Sequence, residues 1–176
     1  NYNINQLAKE LDISAGGMFK ILKKLHKLEY LAKQKQGNNI FYKINFNSKD
    51  ALDVCSFALT NRKASAYVRA WIQDLERLRD ITDIAILFGS ILKKDKEAGD
   101  VDILLVFDNK NFDKVEDAIE KLNKIKSKRI HAIYQTKEDL IRNIKEKDKA
   151  ILEEIKTGLV LWGRNLLFEA IKDGQN

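Results

Sequence analysis

Proline is absent from the 176 residues, and the chain carries one cysteine, one methionine and two histidines. A lone thiol, Cys55, excludes an intrachain disulfide framework, and two histidines with one cysteine offer no zinc-type Cys/His cluster. No serine triad can be assembled. No apolar run is long enough to span a bilayer and no signal peptide is visible, so the sequence predicts a protein of the reducing cytoplasm with no membrane partner. The length suits two small domains, or one domain with an appendage. The chain begins at Asn1 rather than Met, as expected of a trimmed N-terminus.

What is present is lysine, unevenly spread. Residues 1–50 hold nine lysines against Glu10, Asp12, Glu29 and Asp50, a net of +5 out of +6 for the whole chain. A basic end on a nearly neutral body predicts an anionic partner for the N-terminal part. There, Ile4, Leu7, Ala8 and Leu11 recur at helical spacing behind Asn3 as N-cap, and Asp12-Ile13-Ser14 makes a short turn. A second helix is predicted over 15–28, with Met18, Leu22 and Leu25 inward and Gly17, Lys20, Lys24 and Lys27 on another stripe. Residues 30–35, the turn Gly37-Asn38-Asn39 and residues 40–46 read as a β-hairpin.

This order resembles a winged helix-turn-helix with LAKELDISAGGMFKILKKL at its centre and the fold's first helix missing. The resemblance implies double-stranded DNA as partner. It puts Ser14, Gly16, Gly17 and Lys20 near base edges and Lys23, Lys24 and Lys27 on phosphates, with Lys33, Lys35, Asn38, Asn39 and Lys43 setting the wing beside the backbone. The second helix has no arginine, so shape and phosphate contacts are expected to dominate, with strong salt dependence. A lysine stripe also marks an ordinary solvated face, and winged helices also dock proteins; both alternatives stay open.

Residues 48–79 read as a helical linker. Asn47 or Ser48 caps a helix over 49–59 that carries Cys55 as a buried small hydrophobe. Asn61 or Ser65 precedes a second helix reaching Leu78. In that helix Ala64, Val68, Trp71, Leu75 and Leu78 follow a heptad spacing. This fits packing on the neighbouring domain or, alternatively, a homodimer suited to paired half-sites.

The densest chemistry lies in LFGSILKKDKEAGDVDILLVF, residues 87–107. Residues 84–88 read as a buried strand, Gly89 allows a turn with no side chain in a ligand's way, and Ser90 opens a helix whose first N–H groups suit an anion. Alternation along a strand aims Asp100 and Asp102 from one face while Val101, Ile103, Leu105 and Phe107 fill the other. Paired carboxylates of this kind suit Mg²⁺ or Mn²⁺, which bridges protein oxygens to phosphates. An ordinary turn followed by solvated acids is the plain alternative; the joint spacing between two apolar strands argues against it.

Phe88-Gly89-Ser90 followed by Asp100-Val101-Asp102 resembles the nucleotidyltransferase superfamily related to DNA polymerase β, in its minimal prokaryotic form, over residues 80–163. The resemblance implies that Gly89 and Ser90 bind a nucleoside triphosphate and that Asp100 and Asp102 are catalytic acids and metal ligands. Active members add a third acid from a later strand, but here that strand reads Arg129-Ile130-His131-Ala132-Ile133-Tyr134. His131 stands closest to the missing carboxylate, either as a ligand or base or as an outward strand residue.

The sequence therefore predicts an α+β protein: a winged helix-turn-helix over 1–47, a helical linker over 48–79, and a small nucleotidyltransferase-like domain with a mixed sheet and C-terminal helix over 80–176. Three functions follow. One is transfer of a nucleoside monophosphate to a hydroxyl. Another is DNA-binding regulation with a nucleotide-sensing domain. The third is an antitoxin-type interaction with a helical toxin-like partner.

Overall fold

The computed structural model describes residues 2–60, without the side chain of Thr60, and residues 64–175; Asn61, the alternative cap, lies outside them. Two compact units divide at Phe57 and Ala58.

In the first unit, β1 (Tyr2–Asn3) leads into α1 (Ile4–Glu10), whose start is closed by a reciprocal capping box between Asn3 and Gln6. The chain turns through Asp12 at φ 52° into α2 (Ala15–Lys27), where the Ser14 hydroxyl accepts the Gly17 N–H at 3.2 Å. β2 (Leu31–Gln36) and β3 (Asn39–Ile44) form an antiparallel hairpin, and β1 pairs on the free side of β3. The hairpin turn is tighter than the sequence suggested. Gln36 pairs with Asn39, so Asn39 belongs to the strand and only Gly37 and Asn38 turn. Ala8, Met18, Leu22 and Tyr42 form this unit's core, with Ile4, Leu7 and Leu31 against them.

The helix α3 (Lys49–Thr60) begins at Ser48, whose hydroxyl accepts the Ala51 N–H. Cys55 is half-buried on it, not enclosed as expected, although burial still raises its thiol above the usual range. The helix leaves Val54 and Phe57 exposed on its surface, so its apolar residues do not all face inward.

The second unit is built on a mixed four-stranded sheet of order β6-β5-β4-β7. Ser65 caps α4 (Ala66–Leu75), which passes into a 3₁₀ segment (Glu76–Ile81) before β4 (Ile84–Phe88). The short α5 (Ile91–Lys94) connects β4 to the antiparallel β5 (Asp100–Val106), and α6 (Phe112–Ile125) is the crossover to the parallel β6 (Arg129–Gln135). Then come α7 (Lys137–Lys145), α8 (Lys149–Thr157), β7 (Leu159–Trp162) antiparallel to β4, and α9 (Arg164–Gly174). Thr136 and Asp139 close the start of α7 with a reciprocal capping box.

Both faces of the sheet are covered, which explains why β4 and β5 are almost uninterrupted apolar runs. One face packs Ala85, Leu87, Val101, Ile103, Leu105 and Phe107 against α4 and α6, with Val68, Trp71, Leu75 and Leu78 in the same cluster. The heptad-spaced residues of α4 thus bury within their own unit. The other face packs Ile84, Ile86, Leu104 and Val106 against Leu140, Ile144, Ile151, Leu167 and Ala170 of α7, α8 and α9. Leu104 and Val106 follow Asp102 on its side of the strand, so the carboxylates sit at the open end of a covered face.

Candidate functional site

Strand alternation and two pairing registers assemble the site. Asp102 is opposite Phe88 on the antiparallel neighbour β4, one residue before Gly89, and opposite His131 on the parallel neighbour β6. The tight turn and the acid pair therefore meet at the same end of the sheet. Gly89 is at φ 78°, a region costly for residues with a Cβ, and an ideal Cβ there would fall 2.1 Å from Oδ2 of Asp102. Both the conformation and the space require glycine.

Asp100 and Asp102 converge as the alternation predicted, and His131 joins them. Its Nδ1 lies 3.2 Å from Oδ2 of Asp100 and 3.8 Å from Oδ1 of Asp102. One ligand atom from each of the three falls within 4.8 Å of the others. Asp102 is the more enclosed of the two acids. Burial first, and then the neighbouring Asp100 charge, raises its pKa, while His131 opposes that shift. Two carboxylates held this way repel one another unless a cation or proton lies between them. The donor set fits a divalent ion: Asp100 and Asp102 supply hard oxygens suited to Mg²⁺ or Mn²⁺, and the third donor is an imidazole nitrogen.

Ser90 stands at the N-cap of α5, but its hydroxyl makes no capping hydrogen bond. The helix is a single turn, so the anion-binding capacity expected here rests on the N–H groups of the turn itself more than on a helix dipole. Gly99 is exposed, with no atom within 4 Å of an added Cβ. The loop before Asp100 is tied down by Lys128, whose ammonium donates to the carbonyls of Lys96 and Ala98. Beside Asp102 and His131 a groove of about 550 Å³ runs past Phe88, Glu116, Glu120 and Tyr134.

One neighbouring residue was missed from the sequence. Oε2 of Glu154, on α8, is buried without a hydrogen bond, and burial, then the charges of Asp148 and Asp102, raise its pKa. Its local signal was slight: a glutamate four residues before Gly158, where α8 packs on β4. An added Cβ on Gly158 would meet the Glu154 carbonyl and the Ile86 side chain, each at 2.5 Å.

Residues 72–165, just over half of the chain, match the family model described as Polymerase beta, Nucleotidyltransferase. The chain belongs to that family. No curated protein and no solved structure matches it. The nucleotidyltransferase match starts within α4 and takes in all four strands of the mixed sheet, including Gly89, Ser90, Asp100, Asp102, His131 and Glu154.

The N-terminal candidates lie outside the matched range. Lys20, Lys23, Lys24 and Lys27 are exposed along α2, and Lys33, Lys35, Asn38 and Asn39 are exposed on the hairpin. Ser14 is committed to capping α2 through its hydroxyl, while Gly16 is open and Gly17 half-buried against Ser14 and Ile13. The Lys33 ammonium stands over the ring of Tyr42, 5.9 Å from its centroid. Lys43 is half-buried. Among the described residues, no helix is long and apolar enough to cross a membrane.

Proposed function

We propose that the second unit binds a nucleoside triphosphate and transfers its nucleoside monophosphate to a hydroxyl acceptor. The convergence of Asp100 and Asp102 beside the side-chain-free Gly89 carries this reading. Gly89 and Ser90 would receive the triphosphate on backbone N–H groups and the Ser90 hydroxyl, while Asp100 and Asp102 would hold a divalent ion beside it. When bound, Mg²⁺ or Mn²⁺ supplies neutralisation of the phosphate charge. The acceptor oxygen forms a new bond to the α-phosphorus, the bond to the bridging oxygen breaks, and pyrophosphate leaves with those electrons. The acceptor's proton passes to a base or to water. Radiolabel from the α-phosphate of ATP or another triphosphate should appear on the acceptor in wild type and vanish in Asp102→Asn. No transfer to proteins, nucleic acids or small alcohols would sink this reading.

The replacement of a third carboxylate by His131 favours a second reading, in which the same pocket senses a nucleotide with little turnover. Its mark is metal-dependent nucleotide binding by calorimetry, lost in Asp100→Asn, without labelled product.

For the first unit we propose a winged helix-turn-helix that binds duplex DNA, with α2 in the major groove and the hairpin as wing. The exposed lysines of α2 and the basic charge of residues 1–50 support it. Absent or salt-insensitive duplex binding would remove it.

A further inference from the structure

We propose that His131 is a direct metal ligand, and that the Asp100–Asp102–His131 set makes this site select Mn²⁺ over Mg²⁺. The inference rests on the nucleotide-site reading above and specifies its ion.

The argument begins with register. Parallel pairing puts His131 beside Asp102, and strand alternation keeps Asp100, Asp102 and His131 on one face. Three donor atoms within 4.8 Å of one another are then offered to the same volume. Neighbouring ligands on a six-coordinate ion with bonds near 2.1 Å are about 3 Å apart, and Nδ1 of His131 stands 3.2 Å from the Asp100 oxygen. The ring therefore needs little movement to share an ion with the acids.

The donor chemistry then discriminates between ions. Mg²⁺ is a hard ion that keeps water and oxygen ligands, so an imidazole adds little for it. Mn²⁺ accepts the same carboxylates and phosphate oxygens at six-coordination and also takes a nitrogen ligand. Three protein donors leave three positions for water and phosphate, as a polyphosphate site needs. His131 is half-exposed, with its Nδ1 already turned towards both acids.

The chain has two histidines, which makes the test clean. His26 lies on α2 in the first unit, where its Nδ1 is 2.9 Å from the Leu31 carbonyl oxygen. Mn²⁺ is titrated into the full chain, with and without a non-hydrolysable nucleoside triphosphate, and followed by loss of the free-ion electron paramagnetic resonance signal. Mg²⁺ is then used as competitor. Wild type should prefer Mn²⁺ over Mg²⁺ by about tenfold more than His131→Ala does, and His131→Asp should shift the preference back towards Mg²⁺. Pulsed measurements on bound Mn²⁺ should show coupling to a directly ligated nitrogen in wild type and in His26→Ala, and none in His131→Ala. Mn²⁺ bound without nitrogen coupling, or an unchanged ion preference in His131→Ala, would overturn the inference while leaving the nucleotide site intact. Failure of both ions to bind, with nucleotide present, would overturn the inference and the nucleotide site together.

Discussion

The carboxylate of Asp102 fills the space that any side chain on Gly89 would need, Oδ2 lying 2.1 Å from where a Cβ would stand. Gly89→Ala should therefore act on the site more than on the fold. The positive φ costs about 1–2 kcal/mol for alanine, and the methyl group drives Asp102 from its position. The expected result is a loss of nucleotide affinity of at least roughly tenfold, about 1.4 kcal/mol, with cooperative thermal unfolding retained. Calorimetric titration with nucleotide and divalent ion checks it; wild-type affinity in the variant would show that the turn and the acid do not act together.

Glu154 is held at a cost to the fold. Its pKa is raised, chiefly by burial and then by Asp148 and Asp102, so the native state holds this proton more tightly than the unfolded chain does. The corresponding stability is fully present below the unfolded-state pKa of the carboxyl and is lost as pH rises through the higher native value. Glu154→Gln, which cannot ionise, should match wild type near pH 4 and unfold at a higher temperature at pH 7. Partial solvation keeps the effect small; a gain of about 2–4 °C corresponds to roughly 1 kcal/mol at this chain length. Equal melting temperatures at pH 7 would refute it.

Thr82 links Trp162 to the end of the 3₁₀ segment. The indole N–H donates to Thr82 Oγ1 at 3.1 Å, and that hydroxyl donates to the Leu78 carbonyl at 2.8 Å, both bonds being buried. Thr82→Val keeps the shape but leaves the indole N–H without its acceptor. Denaturant unfolding should show a loss of about 1–3 kcal/mol, with most of it restored in Thr82→Ser. Similar losses in both variants would point to packing instead of the hydrogen bonds.

The first unit is tested through salt. If Lys20 and Lys24 meet phosphates, Lys20→Ala with Lys24→Ala should lower the slope of log affinity against log salt by about 2 in fluorescence anisotropy with duplex DNA. An unchanged slope would place the DNA contacts elsewhere or nowhere.

Much of the second unit could be read locally. Strand alternation brought Asp100 and Asp102 to one face, and the cap signals at Asn3 and Ser48 marked the starts of α1 and α3 because caps are short-range chemistry. Errors arose where tertiary contacts decide. The helix leading to Leu78 tightens into 3₁₀ after Leu75, where chain direction and packing against the sheet override helical spacing. Cys55 lies in an apolar string yet remains half-buried, since hydropathy names no partner. β1 is two residues long and carries no periodicity of its own. Glu154 is more than fifty positions from Asp102 along the chain, and only the seating of α8 on β4 brings their charges into play. His131 was located by strand position, but its approach to both acids needed the parallel register of β5 and β6.

Asp100 and Asp102 begin a strand whose last four residues are all buried, so neither acid can wander without unzipping the sheet. The stretch from Lys93 to Glu97 is largely exposed between buried Ile91 and Ala98 and is held by side chains instead of a strand ladder: the Ser65 hydroxyl donates to the Asp95 carboxylate at 2.6 Å, and the Lys128 ammonium donates to the Lys96 carbonyl. Sequence change can therefore accumulate at these exposed positions while the acids, anchored by the sheet, keep their places.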